Sequence, residues 1–205
     1  MTEGTAITSA ALLGEPLPIE LMNTVTLDRG RTRDALVDDT GSTAWLRAVA
    51  NRLGPLSDLQ ADQTDEHTVR PVAGELRALR DVLRQLAAEM TNDPRPPATV
   101  PGPTRHEAIA KLNALAQAWP ELVWPTGGQP SHTYRGSGNA HLAVQFIAHQ
   151  AVELLTGPDR ERLRPCLAPN CLLYFFKNHP RREWCSPACG NRVRVARHYQ
   201  RHHTA

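Results

Sequence analysis

The chain has 205 residues, 40% of them apolar, and a formal net charge of +2. No stretch approaches the roughly 18 consecutive apolar residues of a membrane span, which excludes a helical membrane protein. Met1-Thr2-Glu3-Gly4-Thr5-Ala6-Ile7-Thr8 has neither a basic segment nor a long apolar run, so a cytoplasmic protein is expected.

Residues 1–157 read as one mainly helical domain, ample for a single hydrophobic core. A first helix is expected from residue 17 to about 27, with Pro18 near its start. A second starts from a Ser42-Thr43 cap and runs to Leu53, closed by Gly54-Pro55. Residues 75–90 give the clearest pattern. Leu76, Leu79, Val82, Leu83, Leu86 and Met90 form an apolar stripe, with Arg77, Arg80, Asp81 and Arg84 outside it. Residues 91–103 are proline-rich and read as a long surface loop. Residues 104–118 form a further helix with Ile109, Leu112 and Leu115 inward. Residues 121–124 and 131–135 read as a hairpin around Pro125-Thr126-Gly127-Gly128-Gln129-Pro130. A long helix over 139–156 turns Leu142, Phe146, Ile147, Ala151, Leu154 and Leu155 to the core and stops at Gly157-Pro158.

All four cysteines then fall between positions 166 and 189, as Cys166-x4-Cys171 and Cys185-x3-Cys189 with thirteen residues between the pairs. Two close pairs on a short arm bring four thiolates to one tetrahedral ion, and Zn²⁺ is its usual occupant. A cytosolic chain favours metal ligation over bridging. Two disulfides, or a mixed site in which His179 replaces one thiolate, are the alternatives. Residues 172–176 read as a strand, Asn178-His179-Pro180 as a turn and residues 181–184 as a returning strand. Ser186 and Pro187 open a helix as N-cap and first residue, which puts Cys185 and Cys189 on one side of its first turn. Residues 158–205 thus form a small treble-clef or zinc-ribbon-like module, too poor in apolar side chains for a core of its own. One structural Zn²⁺ must supply much of its folding free energy, about 10 kcal/mol or more by analogy. The fold class is mainly α (α+β): a helical N-terminal domain with one β-hairpin, then a four-cysteine module ending in a basic helix.

Cys189-Gly190-Asn191-Arg192, preceded by Arg181-Arg182-Glu183-Trp184-Cys185, resembles the signature of the CGNR zinc-finger family. Leu21-Met22-Asn23-Thr24 is similar to the opening of the ABATE domain that precedes this finger in bacterial proteins described as stress-induced transcription regulators. The resemblance runs over roughly residues 12 to 205. It departs from the family after the first cysteine pair, where Lys177-Asn178-His179-Pro180 stands in place of an acidic-Ser-Arg stretch. The resemblance implies a zinc-binding regulator with Gly190, Asn191 and Arg192 as motif residues. Asn23, Thr24, Asp28 and Arg29 are the polar residues of the family-like N-terminal segment. They are candidates for a small-molecule pocket in a sensor domain, with local capping as the competing account.

The charge is unevenly divided. Residues 158–205 carry ten Lys or Arg against three Asp or Glu, a balance of +7, while residues 1–157 carry −5. A basic tail of this kind is an electrostatic footprint for a polyanion. On a helix from Ser186 to about His203, turning about 100° per residue, Arg194, Arg197, His198 and Arg201 share one face. Cys189, Val193, Ala196 and Gln200 share another. Arg192 falls on the inward side and is expected to bond backbone carbonyls of the knuckle. Gly190 is expected where a neighbour approaches closely. Asn191 suits a base contact or a tie to the hairpin equally. The outward face, with Arg181 and Arg182 beside it, is the candidate DNA-binding surface, since guanidinium groups suit phosphates and guanine edges and the major groove admits a helix. RNA or an acidic protein are alternative partners for the same face, and a homodimer is compatible with either.

No Gly-rich phosphate loop, Gly-x-Ser-x-Gly or His-Glu-x-x-His occurs. His141, His149 and Glu153 lie opposite the apolar stripe of 139–156 and read as solvated residues, and Asp38 and Asp39 as helix-start or turn residues. Four bound cysteines leave a zinc ion no open position. No catalytic residue, and no enzyme, is expected.

Overall fold

Helices and three separate two-stranded hairpins share the chain, and the computed structural model describes residues 12–53, 64–96, 102–135 and 139–203. The N-terminal segment read for a leader, the Gly54-Pro55 stop and residues 97–101 of the proline-rich stretch lie outside these. The first helix, α1 (Leu17–Met22), has Pro18 in its first turn and is buried throughout. It ends about five residues short of the expected length. The chain turns at Asn23 into β1 (Val25–Asp28), which pairs antiparallel with β2 (Arg31–Asp34). Their connection, Arg29-Gly30, has φ of +49° and +78°, the left-handed pair required by a tight type I′ hairpin. A second hairpin therefore stands where helix was expected.

Helix α2 (Asp39–Val49) starts at Asp38, whose carboxylate accepts from the Gly41 N–H at 2.7 Å, so helix-start chemistry accounts for that acidic pair. A single 3₁₀ turn, Ala50–Arg52, follows. Helix α3 (Glu66–Met90) begins nine residues before the expected position and carries Pro71 inside it, which is why its first part does not read as helix. Its stripe packs as expected, but Arg80 and Arg84 do not face solvent: they are 4% and 8% exposed. Helix α4 (Arg105–Leu115) has a Thr104–Glu107 capping box. Leu112 and Leu115 turn inward, whereas Ile109 is exposed. Strands β3 (Trp119–Val123) and β4 (Ser131–Arg135) form the expected hairpin, and α5 (Asn139–Thr156) spans the expected range.

The core lies where α1, α2, α3 and α5 meet. Ile19, Leu21, Leu46, Leu76, Leu79 and Ile147 are fully buried there, each contributing about 1.5–3 kcal/mol. The same apolar cluster takes in Leu163 and Tyr174 of the cysteine module. In that module β5 (Leu163–Pro165) pairs antiparallel with β6 (Tyr174–Phe176). The partner of the aromatic strand is thus the segment before Cys166. Residues 181–184, expected to return as a strand, form a turn and bend after His179-Pro180, closed by the Arg182 N–H donating to the His179 carbonyl at 3.0 Å. Helix α6 (Pro187–His203) ends the described chain.

Candidate metal centre

The hairpin of β5 and β6 and the first turn of α6 carry the four cysteines, all buried and all unbridged. Their four Sγ atoms lie within 4.8 Å of one another. Cys171 and Cys185 are 3.8 Å apart, Cys171 and Cys189 also 3.8 Å, and Cys185 and Cys189 3.3 Å. A tetrahedral ion with metal–sulfur bonds of about 2.3 Å places sulfurs about 3.8 Å apart, whereas a disulfide needs about 2.05 Å. The disulfide alternative is therefore overturned. So is the mixed site, because His179 is exposed and its Nδ1 accepts from the Arg181 N–H. Both halves of the ligand set are locally encoded. At the helix, Ser186 Oγ accepts from the Cys189 N–H at 3.3 Å, the cap expected of Ser186-Pro187. At the knuckle, Asn170 takes φ +56° and lets the chain double back between Cys166 and Cys171.

Electrostatics calls for a cation here. The thiols of Cys171 and Cys185, followed by the backbone N–H groups of Cys185 and Ala168, hold Cys166 well below the ordinary thiol range. Cys166 in turn pushes Cys171 up to about 12, and Cys185 is raised as well. Several thiolates this close cannot coexist without a neutralising ion. Arg192 supplies part of that charge: its Nη2 donates to Cys189 Sγ at 2.8 Å. Arg192 is exposed as a residue and not inward as expected, and its guanidinium folds back onto a sulfur and not onto knuckle carbonyls. Gly190 answers its expectation, since a Cβ there would meet Trp184 Cδ1 at 3.2 Å. Asn191 Oδ1 accepts from Arg194 Nη2, one helical turn on.

Four candidate residues are placed differently from their expected roles. Arg182 does not lie on a free basic face. Its Nη2 reaches Glu15 Oε1 at 2.5 Å and the Cys185 carbonyl at 3.0 Å, its Nη1 donates to the Phe176 carbonyl at 3.1 Å, and its guanidinium stacks over Phe175. A partly buried guanidinium beside a buried carboxylate is held by charge-assisted bonds and is unavailable to phosphate. Asn23 is buried against β6. Its Nδ2 donates to the Tyr174 carbonyl at 2.9 Å and its Oδ1 accepts from the Tyr174 N–H at 2.8 Å, so the side-chain amide pairs with β6 as a strand neighbour would. Thr24 Oγ1 donates to the Leu21 carbonyl at the end of α1, and Arg29 sits exposed in the hairpin turn. These three do not converge and form no shared pocket, as local hydrogen bonding and the turn account for each. Asp28 is likewise exposed, paired with Arg33 at 3.5 Å. By contrast Arg181, Arg194, Arg197, His198 and Arg201 are all exposed.

Sequence reading missed the residues that hold the module to the helical core. Arg84 donates from Nη1 to the Met22 carbonyl at 2.7 Å and from Nη2 to the Leu172 carbonyl at 3.1 Å, and lies 5.3 Å over the Tyr174 ring. Glu15 Oε2 accepts from the Phe176 N–H at 3.0 Å. From the proline-rich stretch, Arg95 Nη1 lies 3.1 Å from each of the Cys166, Cys171 and Leu173 carbonyls. Asp93 grips the same guanidinium and accepts from Tyr174 Oη at 2.7 Å. The one available signal was Asp93-Pro94-Arg95-Pro96, an opposite-charge pair set between prolines.

A four-sulfur centre between a short hairpin and a helix, docked on a helical body, defines a zinc-finger protein of α+β class. Residues 162–202 match the CGNR zinc finger, and residues 15–158 match ABATE, described as "Putative stress-induced transcription regulator". The chain belongs to the ABATE family, and its four cysteines are positioned to bind one structural Zn²⁺. No curated protein matches the chain.

Proposed function

We propose that this chain is a cytoplasmic, DNA-binding transcription regulator in which α6 contacts the duplex. The carrying observation is the outer part of α6. Residues 197–202 are all exposed, beyond the last packed side chains Val193 and Ala196, and Arg194, Arg197 and Arg201 line one side of the helix. Such a helix, projecting from a metal-braced base, suits the major groove, and its guanidinium groups suit phosphate and guanine. The family description supports the regulatory part of this reading. We also read the chain as non-enzymatic. His141 lies 3.3 Å from Glu75, and His149, half-buried against the Tyr134 ring, lies 3.5 Å from the exposed Glu153. Sensing by the helical domain moves from Asn23 to an apolar cleft of about 360 Å³ between α3, α4 and α5, walled by Leu86, Met90, Ile109, Leu112, Val152 and Leu155. If small apolar ligands give no thermal shift, sensing there is removed.

The test is fluorescence anisotropy of zinc-loaded protein on labelled duplex across a salt series, with Arg194, Arg197 and Arg201 changed together to Ala. Binding should be steeply salt-dependent, and the variant should keep its zinc while losing roughly one unit of log–log slope per phosphate contact removed. No binding at low salt would sink the DNA reading. A second reading has its own observation: Val195 and Tyr199, both more than 60% exposed on the same helix, suit a protein partner. Binding that is salt-dependent but indifferent to sequence would favour an acidic protein or RNA.

A further inference from the structure

The knuckle between Cys166 and Cys171 spends its backbone in two directions. N–H groups turn toward sulfur, from Ala168 and Cys185 to Cys166 and from Leu173 to Cys171. The carbonyls of Cys166, Cys171 and Leu173 turn the other way and converge on one atom, Arg95 Nη1, at 3.1 Å each. The Leu173 carbonyl also accepts from the Cys166 N–H at 2.9 Å, whereas those of Cys166 and Cys171 meet Arg95 Nη1, whose two N–H bonds suit two part-buried acceptors.

Arg95 is itself held. Its Nε lies 2.8 Å from Asp93 Oδ1 and its Nη2 2.6 Å from Asp93 Oδ2, a two-point fork. Asp93 is fixed from the helix side, because α3 ends in a Schellman turn. There the Asp93 N–H donates to the Ala88 carbonyl at 2.9 Å and the Asn92 N–H to that of Glu89 at 3.3 Å, with Asn92 at φ +48°. Pro94 and Pro96 flank Arg95 and stiffen its backbone. The side chain therefore reaches the knuckle with little conformational freedom left to lose.

We infer that Arg95, steered by Asp93, is a positioning residue for the metal: it fixes the knuckle carbonyls so that Cys166 and Cys171 stand ready for Zn²⁺. The proline-rich stretch is then part of the outer shell of the metal site. Such outer partners commonly change metal affinity by about 10–100-fold when removed.

The experiment is zinc transfer from the full-length protein to an excess of a chromophoric chelator at neutral pH, beside the visible spectrum of the cobalt-substituted form. Arg95→Ala should release zinc at least tenfold faster, on the scale of other outer-shell substitutions, and shift the tetrahedral cobalt bands. Arg95→Lys should recover part of the rate. Asp93→Asn should lie between Lys and wild type. Arg105→Ala, which breaks only the exposed pair with Glu89, should match wild type. Unchanged release and an unchanged cobalt spectrum in Arg95→Ala overturn the inference, even if melting falls, because a purely structural contact would lower stability alone. If Arg95→Ala does not fold, Arg95→Lys and Asp93→Asn decide: wild-type release in both overturns it, and faster release in both supports it.

Discussion

Arg84, Arg95 and Arg182 turn their guanidinium groups inward onto main-chain carbonyls around the metal module, whereas Arg194, Arg197 and Arg201 hold theirs in solvent along α6. The inward three are bonded across long stretches of sequence, and each bridges the helical core or its flanking segments to the module. Among the described residues the outward set bonds within its own helix, Arg194 Nη2 to Asn191 Oδ1 and Arg201 Nε to the Arg197 carbonyl at 3.3 Å. A balance of +7 in the tail counts Arg182 with the others. Net charge thus overstates what a polyanion can reach, and the number of free guanidinium groups is what matters. The two sets also differ in cost. A buried guanidinium is worth keeping only with its partners present, while an exposed one costs almost nothing to remove.

The largest test of that contrast removes the ion. Because Leu163 and Tyr174 belong to the main apolar cluster, and Asn23, Arg84 and Arg95 bond the module's backbone, metal loss should not unfold a detached finger. Chelation, or Cys189→Ser, should lower the melting temperature of the whole chain in one transition, at a cost on the order of 10 kcal/mol. Calorimetry checks this. Two transitions, with the upper one unmoved by chelation, would break the comparison by making the inward bonds incidental.

Adjacent arginines allow a finer cut. Arg182→Ala strands the carboxylate of Glu15, which is 2% exposed, and should cost about 3 kcal/mol in urea denaturation of the zinc-loaded protein. Arg181→Ala, one residue away and exposed, should stay within about 0.5 kcal/mol. Adding Glu15→Gln to Arg182→Ala should restore part of the loss by removing the stranded charge. Equal effects at 181 and 182 would mean that the inward geometry carries no energy.

What could be read from the sequence follows the reach of the interactions. Cys166-x4-Cys171 and Cys185-x3-Cys189 are local, as are the Ser186-Pro187 start and the Thr104–Glu107 box, and each is set by residues within a few positions. The β1–β2 hairpin hid because residues 17–27 carry apolar side chains that suit either period, and its only mark is Gly30 after Arg29. Pro71 hid the first turns of α3. The inward clamp was out of reach, because Asn23 meets Tyr174 across 151 residues and Arg95 meets Leu173 across 78. No spacing rule connects such positions, and an arginine on a helix is read as solvated unless its partner is known. Composition divides the arginines only at Arg95, set between Pro94 and Pro96, because an arginine's immediate neighbours do not say which distant carbonyl it meets.

Asn23 separates hydrogen bonding from charge within the inward set. It is uncharged and 3% exposed, and its amide both donates to and accepts from Tyr174. Asn23→Ala leaves a buried N–H and a buried carbonyl of β6 unpaired, which should cost about 2 kcal/mol. Asn23→Asp keeps the shape and the acceptor but sets a carboxylate oxygen against the Tyr174 carbonyl, so it should cost at least as much. The Asn23→Ala loss should not change between low and high salt, because no charge is added or removed. Urea midpoints at two salt concentrations provide the measurement. A loss that shrinks with salt would mean that Asn23 acts through the nearby charges of Arg84 and Asp93. The inward set would then be one electrostatic network, and not a row of separate backbone bonds.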